Sequence, residues 1–298
     1  MKRGMIIMLS RTSNTDTVTN LQSATLISTA AQRTHLDTGA AHIDITYVDS
    51  RIDNTELDTV LQSLRSYRTQ LSGALHTAAQ LDKLATASHV PYLIALLNDP
   101  EPFVREAAAR PLARLQGSSI LPLLLCAMRA CEQAGAPSRP LSYITAQIVS
   151  TNATQVEPML SDMLNSVDST TRQDAAWCYG FMNAETALSP LLRALHDSAP
   201  IVRIAAANAL RSFDNPVAVA ALCQALFDPA EDVRVAVAAT LSQVATVDSV
   251  PALAHAQRDS SQAVRVFVNY ALKRLNGSPK PIATAKPARL LSKLFARA

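Results

Sequence analysis

Between residues 88 and 278 apolar residues return every three or four positions, the spacing that lines one face of a helix, and short polar stretches cut the runs. The polar stretches repeat. Val104-Arg105, Val202-Arg203, Val233-Arg234 and Val264-Arg265 recur, with the last three arginines evenly spaced, and one further equal step back from Arg203 lands on Arg172. Six units follow, 88–118, 119–154, 155–185, 186–216, 217–247 and 248–278, all of equal length except the second, which is longer by an insertion around Ala134–Pro140. Positions not used to set this register keep it. The sixth residue is leucine throughout (Leu93, Leu124, Leu160, Leu191, Leu222, Leu253), and the fourth is proline in Pro91, Pro122, Pro158 and Pro251.

Each unit reads as two helices. The first opens near its proline, which suits a first helical turn, and an aspartate then marks the turn into an alanine-rich second helix. Runs such as Ala107-Ala108-Ala109 and Ala205-Ala206-Ala207 let neighbouring helices approach closely. A lone helix pair cannot bury its apolar face, so the units must stack. The expected fold class is all-α, an α-solenoid of about six helix pairs with an N-terminal helical cap.

The Asp-x-x-x-x-Val-Arg segments at 99–105, 197–203, 228–234 and 259–265 resemble HEAT repeats, in the short bacterial variety of phycobilisome-lyase-like proteins. The resemblance implies that Asp99, Arg105, Asp197, Arg203, Asp228, Arg234, Asp259 and Arg265 form a structural ladder between adjacent repeats. A forked guanidinium can pair with carboxylates of its own and the next unit while its stem packs. Arg172 has Ser166 in place of its aspartate, and the second unit has Ala130 and Ala136 at both positions, so a weakened ladder is expected there. The insertion with Pro137 and Pro140 predicts a bend or bulge.

The flanks differ from the repeat. Residues 1–53 are rich in Thr and Ser, with one alternating segment, His42–Val48, that reads as extended and suits either the first helices or a partner's sheet edge. Residues 54–87 read as one long amphipathic capping helix, with Leu57, Leu61, Leu64, Leu71 and Leu75 on one face. After Asn276-Gly277, residues 279–298 form a basic, proline-containing linker and a short tail helix, where Leu290, Leu291, Leu294 and Phe295 share a face for a partner groove or for docking back on the solenoid.

Charge and composition narrow the chemistry. Five of the basic residues (Lys280, Lys286, Arg289, Lys293, Arg297) lie after Asn276, where there is no acid; without them acids slightly outnumber bases, so no nucleic acid is expected on the body. The seven glycines stand singly and far apart, no two within reach of one loop, which excludes glycine-rich phosphate loops. Cys126, Cys131, Cys178 and Cys223 form no CxxC, and the six histidines form no HxxxH and no His-Glu pair, so neither a disulfide framework nor a helical metal site is expected and no cofactor is assigned. No apolar run reaches the roughly 18 residues of a membrane span. A cytoplasmic, bacterial protein is the expectation.

Surface recognition remains. Five residues past the ladder arginines the column reads Arg110, Trp177, Asn208, Ala239 and Tyr270, and just beyond lie Arg211, Gln243, Lys273 and Arg274. On a HEAT-like solenoid these fall on the concave face, where a non-catalytic adaptor would hold another protein or a peptide, with Trp177 serving either as an anchor or as packing. The alternative is a bilin lyase-like protein, with Trp177, Tyr179, Phe181, Tyr270 and Arg211 around the chromophore.

Overall fold

The computed structural model describes residues 54–66, 71–135 and 138–277. The extended segment at 42–48 and the tail contacts Leu290, Leu291, Leu294 and Phe295 lie outside the described residues. Among the described residues all regular structure is helical. The chain divides into two compact units, Met1–Ile144 and Thr145–Ala298.

In the first unit, α1 (Thr55–Ser66) and α2 (Leu71–Leu84) pack on each other and on α4 (Pro102–Gln116), which also receives α3 (Val90–Ala95). Helix α5 (Leu121–Gln133) packs against the 3-10 turn Leu96–Asn98 that ends α3. The long capping helix expected over 54–87 is therefore a helix pair of its own. The physical gain is burial: folded back, the pair hides Leu57, Leu61 and Leu64 together with Ala78 and Leu81, which one extended helix of about 50 Å would leave partly in water. The side chains of Leu71 and Leu75 lie outside what is described. The run Pro102–Gln133 is apolar and long enough to cross a membrane by length and composition. It is broken at Gly117, whose φ of 58° ends α4, and Val104, Leu112, Leu121 and Leu124 within it are core residues.

Helix α6 (Arg139–Thr151) contains the division between the units. The second unit then alternates first and second helices: α7 (Ala153–Leu164), α8 (Ser169–Tyr179), α9 (Ala184–Ala194), α10 (Pro200–Ala209), α11 (Pro216–Ala225), α12 (Glu231–Val244), α13 (Val250–Ala256) and α14 (Gln262–Leu275). First helices α7, α9, α11 and α13 stack in one layer and second helices α8, α10, α12 and α14 in the other. This is the α-solenoid arrangement that the repeat predicts.

Column by column, the core follows the register. All six sixth-position leucines are fully buried, as are Leu112, Tyr179, Leu210 and Leu241 of the second-helix column, while Leu272 in the terminal helix is half-buried. Close approach accompanies the small residues: a Cβ at Gly180 would meet the Cβ of Ala209 at 3.1 Å. Pro91, Pro122 and Pro251 open α3, α5 and α13 as expected, but Pro158 sits inside α7. That helix begins five residues earlier, at Ala153, and accepts the loss of one backbone hydrogen bond.

Candidate functional site

The ladder holds the second helices in register. In the C-terminal unit each ladder arginine is the fourth residue of its second helix, and Arg172, Arg203 and Arg234 divide their guanidinium groups in the same way. Nη1 of Arg203 donates to its own unit's Asp197 carbonyl at 2.7 Å and Ser198 carbonyl at 3.2 Å, while Nε and Nη2 donate to the two oxygens of Asp228 in the next pair at 2.7 and 2.8 Å. Arg234 repeats this with Asp228, Pro229 and Asp259. Each aspartate also accepts a backbone N–H two residues on, from Ala199, Ala230 or Ser261, and so fixes the start of the following helix.

Two sequence expectations change here. An arginine reaches its own unit through backbone carbonyls, not through its own unit's carboxylate. Since any residue supplies a carbonyl, Ser166 does not weaken Arg172, which binds Asp197 through two hydrogen bonds of 2.8 Å and takes the carbonyls of Ser166 and Val167 at 2.9 and 3.1 Å. With the insertion, the fourth residue of α6 is Ser142, and not Ala136, in the arginine column. Ser142 thus stands at an arginine position of the repeat and Ser166 at an aspartate position.

Sequence reasoning missed Arg65. Asp99 accepts from Arg65 Nη2 at 2.6 Å, a donor in a first helix and outside the arginine column. Tyr92 donates to Asp58 beside it, and Arg114 bonds Asp82 at 3.0 Å and the carbonyl of Ala85 at 2.9 Å. The signal available was only the charge of these residues. Arg105 is buried and donates to the carbonyls of Asp99 and Pro100 at 2.6 and 3.0 Å.

Protonation follows the geometry. The Arg172 guanidinium holds the Asp197 carboxyl below the usual range. Burial pushes Asp228 and Asp259 up, yet Arg203 and Arg234 with the backbone N–H donors bring both below it. Burial drives the Cys178 thiol well above its ordinary value, so it is protonated and a poor nucleophile at neutral pH. Tyr179, fully buried, is pushed up to about 12 by burial and by Glu157, and it fills core space. All four cysteines are free thiols.

The candidate face is the second-helix layer of the C-terminal unit. Trp177 on α8, Asn208 on α10, Ala239 on α12 and Tyr270 on α14 lie one repeat apart on successively stacked helices; Ala239 is buried and the other three are half-buried. Arg211, Gln243, Lys273 and Arg274 are exposed near the same helix ends, and Arg274 also donates to the carbonyl of Ala245 at 2.6 Å. Trp177 meets Phe181 edge-on at 4.7 Å between ring centroids, while its chain neighbours Ala176 and Cys178 are buried. Arg110 belongs to α4 in the other unit and is held by Glu106 at 2.8 Å. Seven of the eight predicted face residues therefore lie in one layer of one unit.

A profile described as HEAT repeats matches residues 143–211 and 189–273, and one described as a HEAT repeat matches residues 89–116. The chain carries HEAT repeats. No curated protein sequence matches it. Solved structures similar to this HEAT-repeat chain include a designed armadillo repeat protein in complex with peptide (KR)4, 20% identical over 74% of this chain and 100% of its own, with a TM-score of 0.39. Human deoxyhypusine hydroxylase in complex with glycerol is 17% identical over 88% of this chain and 98% of its own, with a TM-score of 0.37. Computationally designed armadillo repeat proteins for modular peptide recognition give 18%, 74%, 100% and 0.39 in the same terms. These are loose likenesses.

Proposed function

We propose that this HEAT-repeat chain is a non-catalytic adaptor of bacterial, cytoplasmic type that holds another protein or a peptide along the second-helix layer of its C-terminal unit. The observation that carries the reading is Trp177. A large aromatic ring that stays half-buried, edge-on to Phe181 and flanked in the chain by the buried Ala176 and Cys178, has the rigidity and area of an interface anchor. Four free thiols suit a reducing compartment. A bilin-handling role has less behind it, since Tyr179, one of its expected pocket walls, belongs to the core.

Affinity purification of the tagged chain from its own cells, with an absorbance spectrum and identification of co-eluting proteins, tests the reading. A stoichiometric, colourless protein partner that Trp177→Ala loses, with the melting temperature unchanged, is the expected result. A bound chromophore, or a Trp177→Ala variant that is destabilised yet still captures its partner, overturns it.

A further inference from the structure

Among the described residues the ladder is open at Arg265. Arg265 Nη1 donates to the carbonyls of Asp259 and Ser260 at 2.6 and 2.8 Å, the same pose that Arg172, Arg203 and Arg234 adopt towards their own units. In those three, this pose aims Nε and Nη2 at the carboxylate of the following pair. In Arg265 the same edge has no acceptor among the described residues, and no Asp or Glu follows Asp259 through residue 298.

The helix around it has changed to match. On α12 the stripe Arg234, Ala238, Ser242 lies under α14, with Ala238 and Ser242 buried. The corresponding stripe on α14 is Arg265, Asn269, Lys273, with Asn269 and Lys273 exposed. The Asn269 amide oxygen accepts from Gln257 at 2.8 Å, which leaves its amide group as a donor on this exposed position. From Val250 to Gly277 there are four bases, Arg258, Arg265, Lys273 and Arg274, and one acid, Asp259, which is already bound to Arg234. The unit as a whole runs the other way, with twelve acids against nine bases over residues 145–277. An end face with a pre-aimed fork, donors one and two turns further along the same helix and no free acid selects a carboxylate.

We propose that the α13–α14 end of the stack docks an acidic helix start from another polypeptide. The docked aspartate lies just ahead of its helix, as Asp197, Asp228 and Asp259 do, and enters the Nε–Nη2 edge of Arg265 while Asn269 and Lys273 bind beside it. This surface shares α14 and Lys273 with the candidate face but does not include Trp177, and it stands or falls without that anchor.

The test is fluorescence anisotropy of the full chain with a labelled peptide copying residues 226–244, the segment that presents Asp228 to Arg203 within this protein. Binding is expected to weaken at least about tenfold when the peptide carries Asp228→Asn, and by a similar factor when the chain carries Arg265→Lys, which keeps the charge and loses the fork. Asn269→Glu in the chain places a carboxylate one turn from Arg265 on a solvent-facing position and should block the peptide without lowering the melting temperature. No binding, equal binding of the Asp228→Asn peptide, or indifference to both chain variants overturns the proposal. So does an oligothymidine that binds with Arg265 dependence where the peptide does not, since the occupant would then be a phosphate backbone.

Discussion

The two units solve one problem in two ways. In the C-terminal unit the period is strict, and Arg172, Arg203 and Arg234 each reach the aspartate 25 residues ahead with nearly identical geometry. In the N-terminal unit the period is interrupted, and Asp99 is met by Arg65 from a first helix, 34 residues behind it. What differs is solvent. The side chains of Arg203 and Asp228 are 11% and 9% exposed, whereas Arg65 is 46% exposed beside an Asp99 that is 6% exposed. A carboxylate at a helix start needs a cation, and a strict repeat supplies a buried, two-pronged one by register alone. Where register fails, any long basic side chain in reach serves, with a single hydrogen bond and more water.

That contrast sets the largest expected effect. Arg203→Met leaves the Asp228 carboxylate in a dry site with only the Ala230 N–H at 2.8 Å, and should cost about 3–5 kcal/mol in chemical denaturation. Adding Asp228→Leu should return most of it, because two apolar groups replace the pair. A loss below about 1 kcal/mol for the single change would mean that the buried rungs are no stronger than surface pairs.

Acid should act on the same rungs. Asp197, Asp228 and Asp259 ionise below the ordinary carboxylate range in the folded chain. Their stabilisation is therefore fully present above the unfolded value of about 3.9 and is lost as pH falls through the lower folded values. Circular dichroism during acid titration should show stability falling below about pH 4. Arg172→Met, which removes the main cause of the Asp197 shift, should make that fall shallower; an unchanged slope would disconnect the ladder from acid unfolding.

Close packing between second helices comes next. At Gly180 an added methyl would lie 3.1 Å from the Ala209 Cβ and 3.2 Å from its Cα, atoms fixed to a neighbouring helix that cannot swing aside. Gly180→Ala should cost about 1 kcal/mol through overpacking of α8 against α10. A neutral or stabilising result would mean that the layer yields there by a few tenths of an ångström.

Most of the fold was legible because it repeats. One landmark placed the register, and columns independent of it, Leu93 through Leu253, turned out fully buried. The readings that changed are those where a side chain's role depends on a neighbour outside its own unit. Ser166 suggested a weak rung because an aspartate was missing, but that aspartate serves the preceding arginine. Arg65 carried no columnar signal at all. The first helix pair lacks both the Val-Arg landmark and the aspartate, so its leucines read equally well as one long helix. For the candidate face, the register sets Tyr179 in the column of Leu112, Leu210 and Leu241, where it is core, and Trp177 in the varying column, where it is half-buried, although the bilin reading also makes Tyr179 a chromophore wall.

The smallest effect sharpens the comparison most. Arg65→Ala removes the one cation hydrogen-bonded to the Asp99 carboxylate among the described residues, a change that by simple analogy with Arg203 would unfold the protein readily. It should not. Nearly half of the Arg65 side chain is already in water, so holding it in one rotamer offsets much of what its single bond contributes, and Asp99 keeps the Glu101 N–H at 2.9 Å. The expected loss is about 1 kcal/mol or less, and it should shrink further in high salt, which screens an exposed pair and leaves a buried one nearly untouched. Denaturation of both variants at low and high salt separates the cases. If Arg65→Ala proved as costly and as salt-insensitive as Arg203→Met, exposure would not be what distinguishes the two ladders, and the helix-start hydrogen bond of the aspartate would have to carry the difference instead.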